Sequence, residues 1–309
     1  MKIPLKTSLP AICILLFSWS IIPSLAQKKA PSDNPSATEQ ALLWEISGKN
    51  LSQPSYLFGT FHLLTSEYLQ TQPRIEEKMQ TSQVLAGEIV MDSIMMMRLM
   101  TASIMKENTL DLLLPPDDYQ LVAAYFKELT GVNLQLLNTL KPMALQAALT
   151  QYEWATLNSP SDKSGVPIDI YLQQQAKQQG KTVIGLESLD DQLYALFDQF
   201  SLKRQADMLI EAVKKKKENR AEMLRMTSCY QAQDMECLRK MTYDSKEFSK
   251  EEFSVLLINR NLAWMNKLPD LMQSQPTFVA VGAGHLVGPQ GLIGLLRQAG
   301  YTVKPIPLK

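Results

Sequence analysis

The chain has 309 residues, of which 45% are hydrophobic, 20% charged and 7% aromatic. This composition excludes a disordered chain, a collagen-like repeat and a minimal disulfide scaffold, and the length suffices to bury a core without metal or disulfide support. Thirty-one basic residues balance thirty-one acidic ones, so there is no broad positive field to gather nucleic acid by counterion release, and no nucleic-acid partner is expected.

Residues 1–26 carry Lys2 and Lys6, then the apolar run Ala11 to Ile22, then Ser24-Leu25-Ala26 with small residues near the end. That is the pattern of a secretory signal peptide. Its apolar run is well short of the roughly 20 residues that cross a bilayer, so no stable membrane span is expected once it is removed. The reading implies an exported protein, periplasmic or secreted. Gln27 to Gln40 is polar, proline-bearing and aperiodic, and reads as a flexible leader.

The folded part is expected to begin near Ala41 and to run as one domain, 41–309. Leu43 to Ile46 alternates as a strand, Ser47 to Asn50 carries turn residues and Tyr56-Leu57-Phe58 resumes the apolar run, which together predict an N-terminal β-hairpin. A helix is expected from Pro73, then a strand over Val84 to Val90. Met91 to about Lys163 reads as helical, with Asp117 or Asp118 as a cap and Gly131 as a stop. Another helix is expected over Asp169 to Gly180, a strand over Thr182 to Glu187 and a long helical region over Gln192 to Lys267. Thr277 to Val281 reads as a strand leading into Gly282-Ala283-Gly284-His285. A Gly288-Pro289 turn then opens a helix that Gly300 ends, and Tyr301 to Ile306 is a last strand. The expected fold class is α/β: a central mixed sheet with an N-terminal β-hairpin and large helical insertions at about 91–180 and 189–268.

Cys229 and Cys237 lie in TSCYQAQDMEC, where one helical segment breaks around Gln233-Asp234 and another resumes. An oxidising compartment permits a bridge between them that would staple a helix hairpin. No histidine and no further cysteine is nearby in sequence to make these thiols a metal site.

The chemistry rests on four residues. The chain has two histidines, His62 in GTFH and His285 in GAGH; each follows an apolar run and has a glycine three positions earlier. Glycine permits a sharp turn or a close approach, and imidazole supplies a metal bond or a proton near neutral pH. Glu88 and Glu187 are each the one charged residue in an apolar strand-like run, and a buried carboxylate needs a cation, a metal or a proton. Two imidazoles and two carboxylates at the ends of neighbouring strands would form a mixed site for Zn, Mn, Co or Fe. Either glutamate is open to a second role, as general base on an activated water. Arg260 is a candidate to stabilise a developing oxyanion or to hold a substrate carboxylate, against a plain helix salt bridge. The methionine-rich stretch Met91 to Met100 reads as an adaptable apolar helix face, with a groove for apolar peptides as its functional alternative. Lys214 to Lys217, beside Glu218, Arg220 and Glu222, reads as a solvated helix face.

The blocks Leu43-Trp44-Glu45-Ile46, Leu57 to His62, Glu88, Gly185-Leu186-Glu187 with Gln192, Arg260-Asn261 with Trp264, and Val281 to Leu286 with Gly288 occur in this order. In them the chain resembles the TraB/GumN proteins, whose relatives include the Tiki metalloproteases, over about Leu42 to Val303. The resemblance implies a metal-dependent hydrolytic centre at His62, His285, Glu88 and Glu187, with a divalent ion as cofactor and a peptide or protein as substrate. Several TraB-like members are known mainly as inhibitors of peptide pheromones, which implies the alternative of a peptide-binding or sequestering protein without turnover. The sequence has no GxSxG, no HExxH and no GxxxxGK, which argues against serine hydrolase, zincin and P-loop chemistry.

Overall fold

The structure is a computed structural model that describes residues 40–157, 165–245 and 247–308. The signal segment 1–26 and all of the leader except Gln40 lie outside the described residues. Among the described residues no helix is long and apolar enough to cross a membrane.

Six strands form one sheet: β1 (Leu43–Ser47), β2 (Ser55–Thr60), β3 (Val84–Gly87), β4 (Thr182–Gly185), β5 (Thr277–Gly282) and β6 (Thr302–Ile306), in the order β4-β3-β5-β2-β1-β6. The protein is α/β with a mixed sheet, as expected. β1 pairs antiparallel with β2 and β6, whereas β2, β5, β3 and β4 run parallel. The β1–β2 hairpin turns through Gly48, Lys49 and Asn50, all at positive φ, a conformation that glycine and asparagine tolerate best. Strands β2, β3 and most of β5 are buried, and parallel strands covered on both faces read as continuous apolar runs. Leu57, Phe58, Leu85, Phe278 and Val281 are the centre of that core.

The register fixes where the motifs emerge. Thr60 lies beside Gly282 on β5, and Gly87 pairs with both Ala280 and Gly185. The four parallel strands therefore end at nearly the same level, and the segments with His62, Glu88, Glu187 and His285 leave from that one edge. β3 stops at Gly87 and β4 at Gly185, so the expected strands to Val90 and Glu187 are too long. Beyond the strand ends, Leu186 N–H donates to Gly87 O at 2.9 Å and Glu187 N–H to Glu88 O at 3.0 Å, which carries the ladder outward and sets the two glutamates side by side.

The described residues form two compact units. The sheet unit comprises 40–90, 165–188 and 224–308; the helical unit comprises 91–157 and 189–223. In the helical unit, Pro116–Thr130 ends at Gly131 with φ 74°, the expected stop. The helix starts at Pro116, so Asp117 and Asp118 lie in its first turn, where they oppose the helix dipole, and not at the cap. The methionine-rich helix is Ser93–Ala102; it buries Met95 and Leu99 and leaves Ile94 and Met97 exposed. Lys214, Lys215 and Lys216 pair with Asp118, Glu211 and Glu128, exposed pairs worth little individually. The expected helical region over Gln192 to Lys267 is made of several successive helices.

The helical unit also buries one acid. Tyr125 donates its hydroxyl hydrogen bond to Glu153, and burial pushes the Glu153 carboxyl up to about 7 although Arg220 and Lys216 pull it down.

Candidate functional site

Four of the five candidate side chains leave the carboxyl ends of adjacent strands in the order Glu187, Glu88, His285, His62, and the fifth, Arg260, arrives on a helix. Open α/β sheets bind their ligands at this end, because the loops there converge while the strands hold them rigidly. Arg260 belongs to the helix Asn259–Met265, which continues directly from a wider π-type turn at Ser254–Ile258. Such a turn shifts the phase of the following helix and recurs at functional sites. Arg260, Asn261 and Trp264 are thereby all buried.

Arg260 is the hub. Its Nη2 donates to Glu88 Oε2 at 2.6 Å and to Glu187 Oε1 at 2.7 Å, while Nε donates to Glu187 Oε2 at 2.8 Å. Nη1 donates to Leu256 O at 3.1 Å and lies 3.2 Å from His285 Nε2. The Trp264 indole N–H donates to Glu187 Oε2 at 3.2 Å, and its ring lies 5.0 Å from the Arg260 guanidinium carbon. The planar fork of guanidinium suits this task, holding one carboxylate by two nitrogens and sharing an amino group with the other. Glu88 Oε1 accepts from Gly282 N–H at 2.9 Å.

Each histidine is held through Nδ1. His62 Nδ1 contacts Asp169 Oδ2 at 2.7 Å, and Thr60 donates from Oγ1 to Asp169 Oδ1 at 2.6 Å. His285 Nδ1 contacts Asn261 Oδ1 at 2.6 Å, and Asn261 Nδ2 donates to His285 O at 3.2 Å and to Gln290 O at 2.8 Å. With an acceptor at each Nδ1, the hydrogen sits there and Nε2 becomes the basic atom. The His62 side chain is 18% exposed and that of Asp169 21%, so this side of the site opens to solvent; Glu88, Glu187, Arg260 and His285 are buried.

The electrostatics follow from one cation shared by two acids. Burial raises the Glu88 carboxyl, but Arg260, His285, His62 and the Gly282 N–H outweigh it and bring it down to about 2. Glu187 is raised: burial dominates over its Arg260 hydrogen bonds, and the Glu88 charge adds to the rise. Burial also works against charge on Arg260, yet the two carboxylates raise it above the ordinary arginine value. His285 is pushed down to about 3 by burial and then by Arg260, which keeps the ring neutral. For His62 burial acts downward, but the charge and hydrogen bond of Asp169 win and the value is raised.

The donor chemistry tests whether a divalent ion fits. A Cβ built on Gly282 would lie 3.3 Å from Glu88 Oε1, 3.6 Å from His62 Nε2 and 3.7 Å from His285 Cδ2. Glu88 Oε1, His62 Nε2 and the carbon edge of His285 thus gather around Gly282, and imidazole and carboxylate are donor types that suit Zn, Mn, Co or Fe. His285 Nε2 and Glu88 Oε1 stand 3.9 Å apart, against about 3.4 Å for two ligands on a tetrahedral ion with bonds of ~2.1 Å. Glu187 is turned away, with both oxygens given to Arg260 and Trp264. Among the described residues no three His, Cys, Asp or Glu side chains stand as a ligand set, and the Arg260 guanidinium lies among Glu88, Glu187 and His285. An ion held by these residues would require Arg260 to yield His285 Nε2.

Asp169 is a functional candidate that sequence reasoning missed. It lies in the first turn of the helix Ile168–Gln178, where acids are ordinary partners of the helix dipole, so nothing in its local sequence marks it. Asn261 stands in the INRNLAW segment beside Arg260, and that adjacency was the available signal for its role under His285.

The model of the TraB/PrgY/gumN family matches residues 42–305. The chain belongs to this family. No curated protein and no solved structure matches it.

Proposed function

We propose that the protein is an exported, metal-dependent hydrolase acting on peptide bonds. The observation that carries this reading is the convergence of His62 Nε2, Glu88 Oε1 and the His285 ring around Gly282, with both imidazoles oriented from behind by Asp169 and Asn261. Partners of this kind fix the tautomer and the direction of metal-binding histidines. His62, His285 and Glu88 would hold the ion, whose contribution when bound is Lewis-acid activation of water and of the scissile carbonyl. Glu187, with its raised carboxyl, would be the better-matched proton acceptor once Arg260 releases its Oε1. A proton on Glu187 Oε1 weakens its hold on Arg260 Nη2, which frees the guanidinium to stabilise negative charge on the substrate. Export is supported by the signal-like residues 1–26 and by the Cys229–Cys237 disulfide, since such bridges persist in oxidising compartments.

A second reading has its own observation. Arg260 ties Glu88 and Glu187 together by charged hydrogen bonds and approaches His285, a network whose groups are already paired with one another, which favours a peptide-binding protein that performs no turnover. Elemental analysis of protein from its native compartment, followed by a peptide-library cleavage assay with that element restored, separates the two. Bound metal and cleavage that both vanish in His62→Ala and His285→Ala support the hydrolase. Peptides recovered intact from metal-loaded protein support the binder, and full metal occupancy in the double alanine variant removes the proposed ligand set.

A further inference from the structure

We infer that the Cys229–Cys237 disulfide is a positioning clamp for both histidine loops, so that its reduction loosens the site. The bridge joins the end of the helix Lys216–Gln231 to the helix Met235–Tyr243, with Cα atoms 5.9 Å apart. Between them Gln233 has positive φ and Asp234 caps the second helix by accepting from Cys237 N–H at 2.9 Å.

Each bridged segment touches a different loop. Tyr230, next to Cys229, is fully buried; its hydroxyl donates to Gly59 O at 2.7 Å and its ring stacks on Phe61 with centroids 5.2 Å apart. Gly59 and Phe61 belong to the segment that ends in His62. On the other side, Thr242 and Tyr243 close the helix of Cys237 and lie against the glycines flanking His285. A Cβ on Gly284 would come 3.5 Å from Thr242 Cγ2, and one on Gly288 would overlap the Tyr243 ring at 2.2 Å from Cζ. These glycines admit side chains borne by the bridged hairpin. The two loops leave neighbouring parallel strands, yet beyond the strands the hairpin is a common brace reaching both.

Reduction by a dithiol breaks the S–S bond and leaves Cys229 and Cys237 as thiols; the dithiol supplies two electrons and two protons and is itself oxidised to a cyclic disulfide. Cys237 is partly exposed, which gives the reductant access.

The test is amide hydrogen exchange on the full-length chain, oxidised, reduced with excess dithiothreitol, and as Cys229→Ser/Cys237→Ser. The reporting amides are Leu64, bonded to Phe61 O at 2.9 Å, and Leu286 and Gly291, bonded to Ala283 O and Gly288 O at 3.1 Å each. Exchange at all three is expected to quicken roughly tenfold or more on loss of the bridge, while the amides of β3 and β5 stay protected. Reoxidation should restore protection. Tyr230→Phe should quicken Leu64 alone, because Tyr230 reaches the His62 segment through Gly59 and Phe61. Unchanged exchange in both loops, or equal loosening of β3 and β5, overturns the clamp. A second readout rests on the metal-centre reading: Co(II) affinity should fall roughly tenfold in the serine variant, because a displaced donor loses its share of the bond. If the parent protein binds no Co(II), the metal reading fails, and exchange still decides the clamp.

Discussion

His62 Nδ1 lies 2.7 Å from Asp169 Oδ2, a contact between residues 107 positions apart in the chain. It turns Nε2 toward Gly282 and makes the imidazole more basic, since a carboxylate favours the charged ring. Asp169→Asn keeps the shape and removes the charge. The His62 resonance in a proton NMR titration should move from above 6.5 in the parent to a lower midpoint in the variant. His62 and His285 are the chain's two histidines, so one His285 variant assigns both signals. An unchanged His62 midpoint would mean that the contact carries no electrostatic weight.

Arg260→Met leaves two buried carboxylates without their cation. Breaking such an arrangement costs about 3–5 kcal/mol, which urea denaturation at pH 7 would register as a lower midpoint. Adding Zn or Co should recover part of the loss, because a divalent ion can neutralise the same acids. Wild-type stability in the variant would contradict the role of Arg260 as their shared counter-charge.

Two glycines separate conformation from occupancy. Gly288 has φ +84° and no room for a Cβ beneath Tyr243, so Gly288→Ala should destabilise the fold by ~1–3 kcal/mol. Gly282 has φ −51°, which any residue adopts, and its nearest neighbours lie at 3.3 Å or beyond. Gly282→Ala should therefore keep its backbone and cost about 1 kcal/mol as Glu88 gives way slightly, while placing a methyl group between Glu88 and His62. Calorimetric titration with Co(II) should show weakened binding in that variant, and undiminished binding would place the ion elsewhere.

Acid should unfold the protein through the site. Glu88 has a folded value of about 2 against 4.5, so its stabilisation is complete above 4.5 and is lost as the pH falls through 2. His285, near 3 against 6.5, acts in the same sense over a higher window, because the unfolded ring takes a proton that the buried ring refuses. Glu88 alone amounts to ~3 kcal/mol. Urea midpoints should fall as the pH drops below 4.5, where Glu88 is the group being lost, and Glu88→Gln should flatten that limb.

Glu153 has the opposite sign. Its folded value near 7 exceeds 4.5, so its contribution is fully favourable below 4.5 and is lost as the pH rises through 7. Glu153→Gln can still accept the Tyr125 hydrogen bond but cannot ionise. The variant should gain stability relative to the parent at pH 8 and none at pH 4.5. Equal differences at both pH values would show that Glu153 titrates alike in the folded and unfolded chain.

Much of the architecture was legible because each parallel strand is a short apolar run closed by glycine: Gly59 in β2, Gly87 in β3, Gly185 in β4, Gly282 in β5. Those same runs located His62, His285, Glu88 and Glu187, since a polar group just beyond a buried strand stands out. What the runs do not encode is which strands lie side by side, and that order decides which acid faces which ring. The centring of Arg260 on both glutamates depends on a π-type turn at Ser254–Ile258, and no residue pattern signals such a phase shift. Asp169 stayed hidden because an acid in a helix's first turn has an ordinary local explanation. The division of the helices between two compact units was likewise not legible, since both sets share the same period of apolar residues.

Strand β5 sits between β2 and β3, yet it is translated long after both. On the ribosome, the early hairpin and β3 must wait with unsatisfied edges until residues 277–282 emerge, and non-local pairing of this kind is slow to form. A message cut short before that point yields a product prone to self-association through those edges, whatever the quality of its other helices. The pairing of the two imidazoles thus waits on translation past β5: no fragment that stops before His285 can possess it.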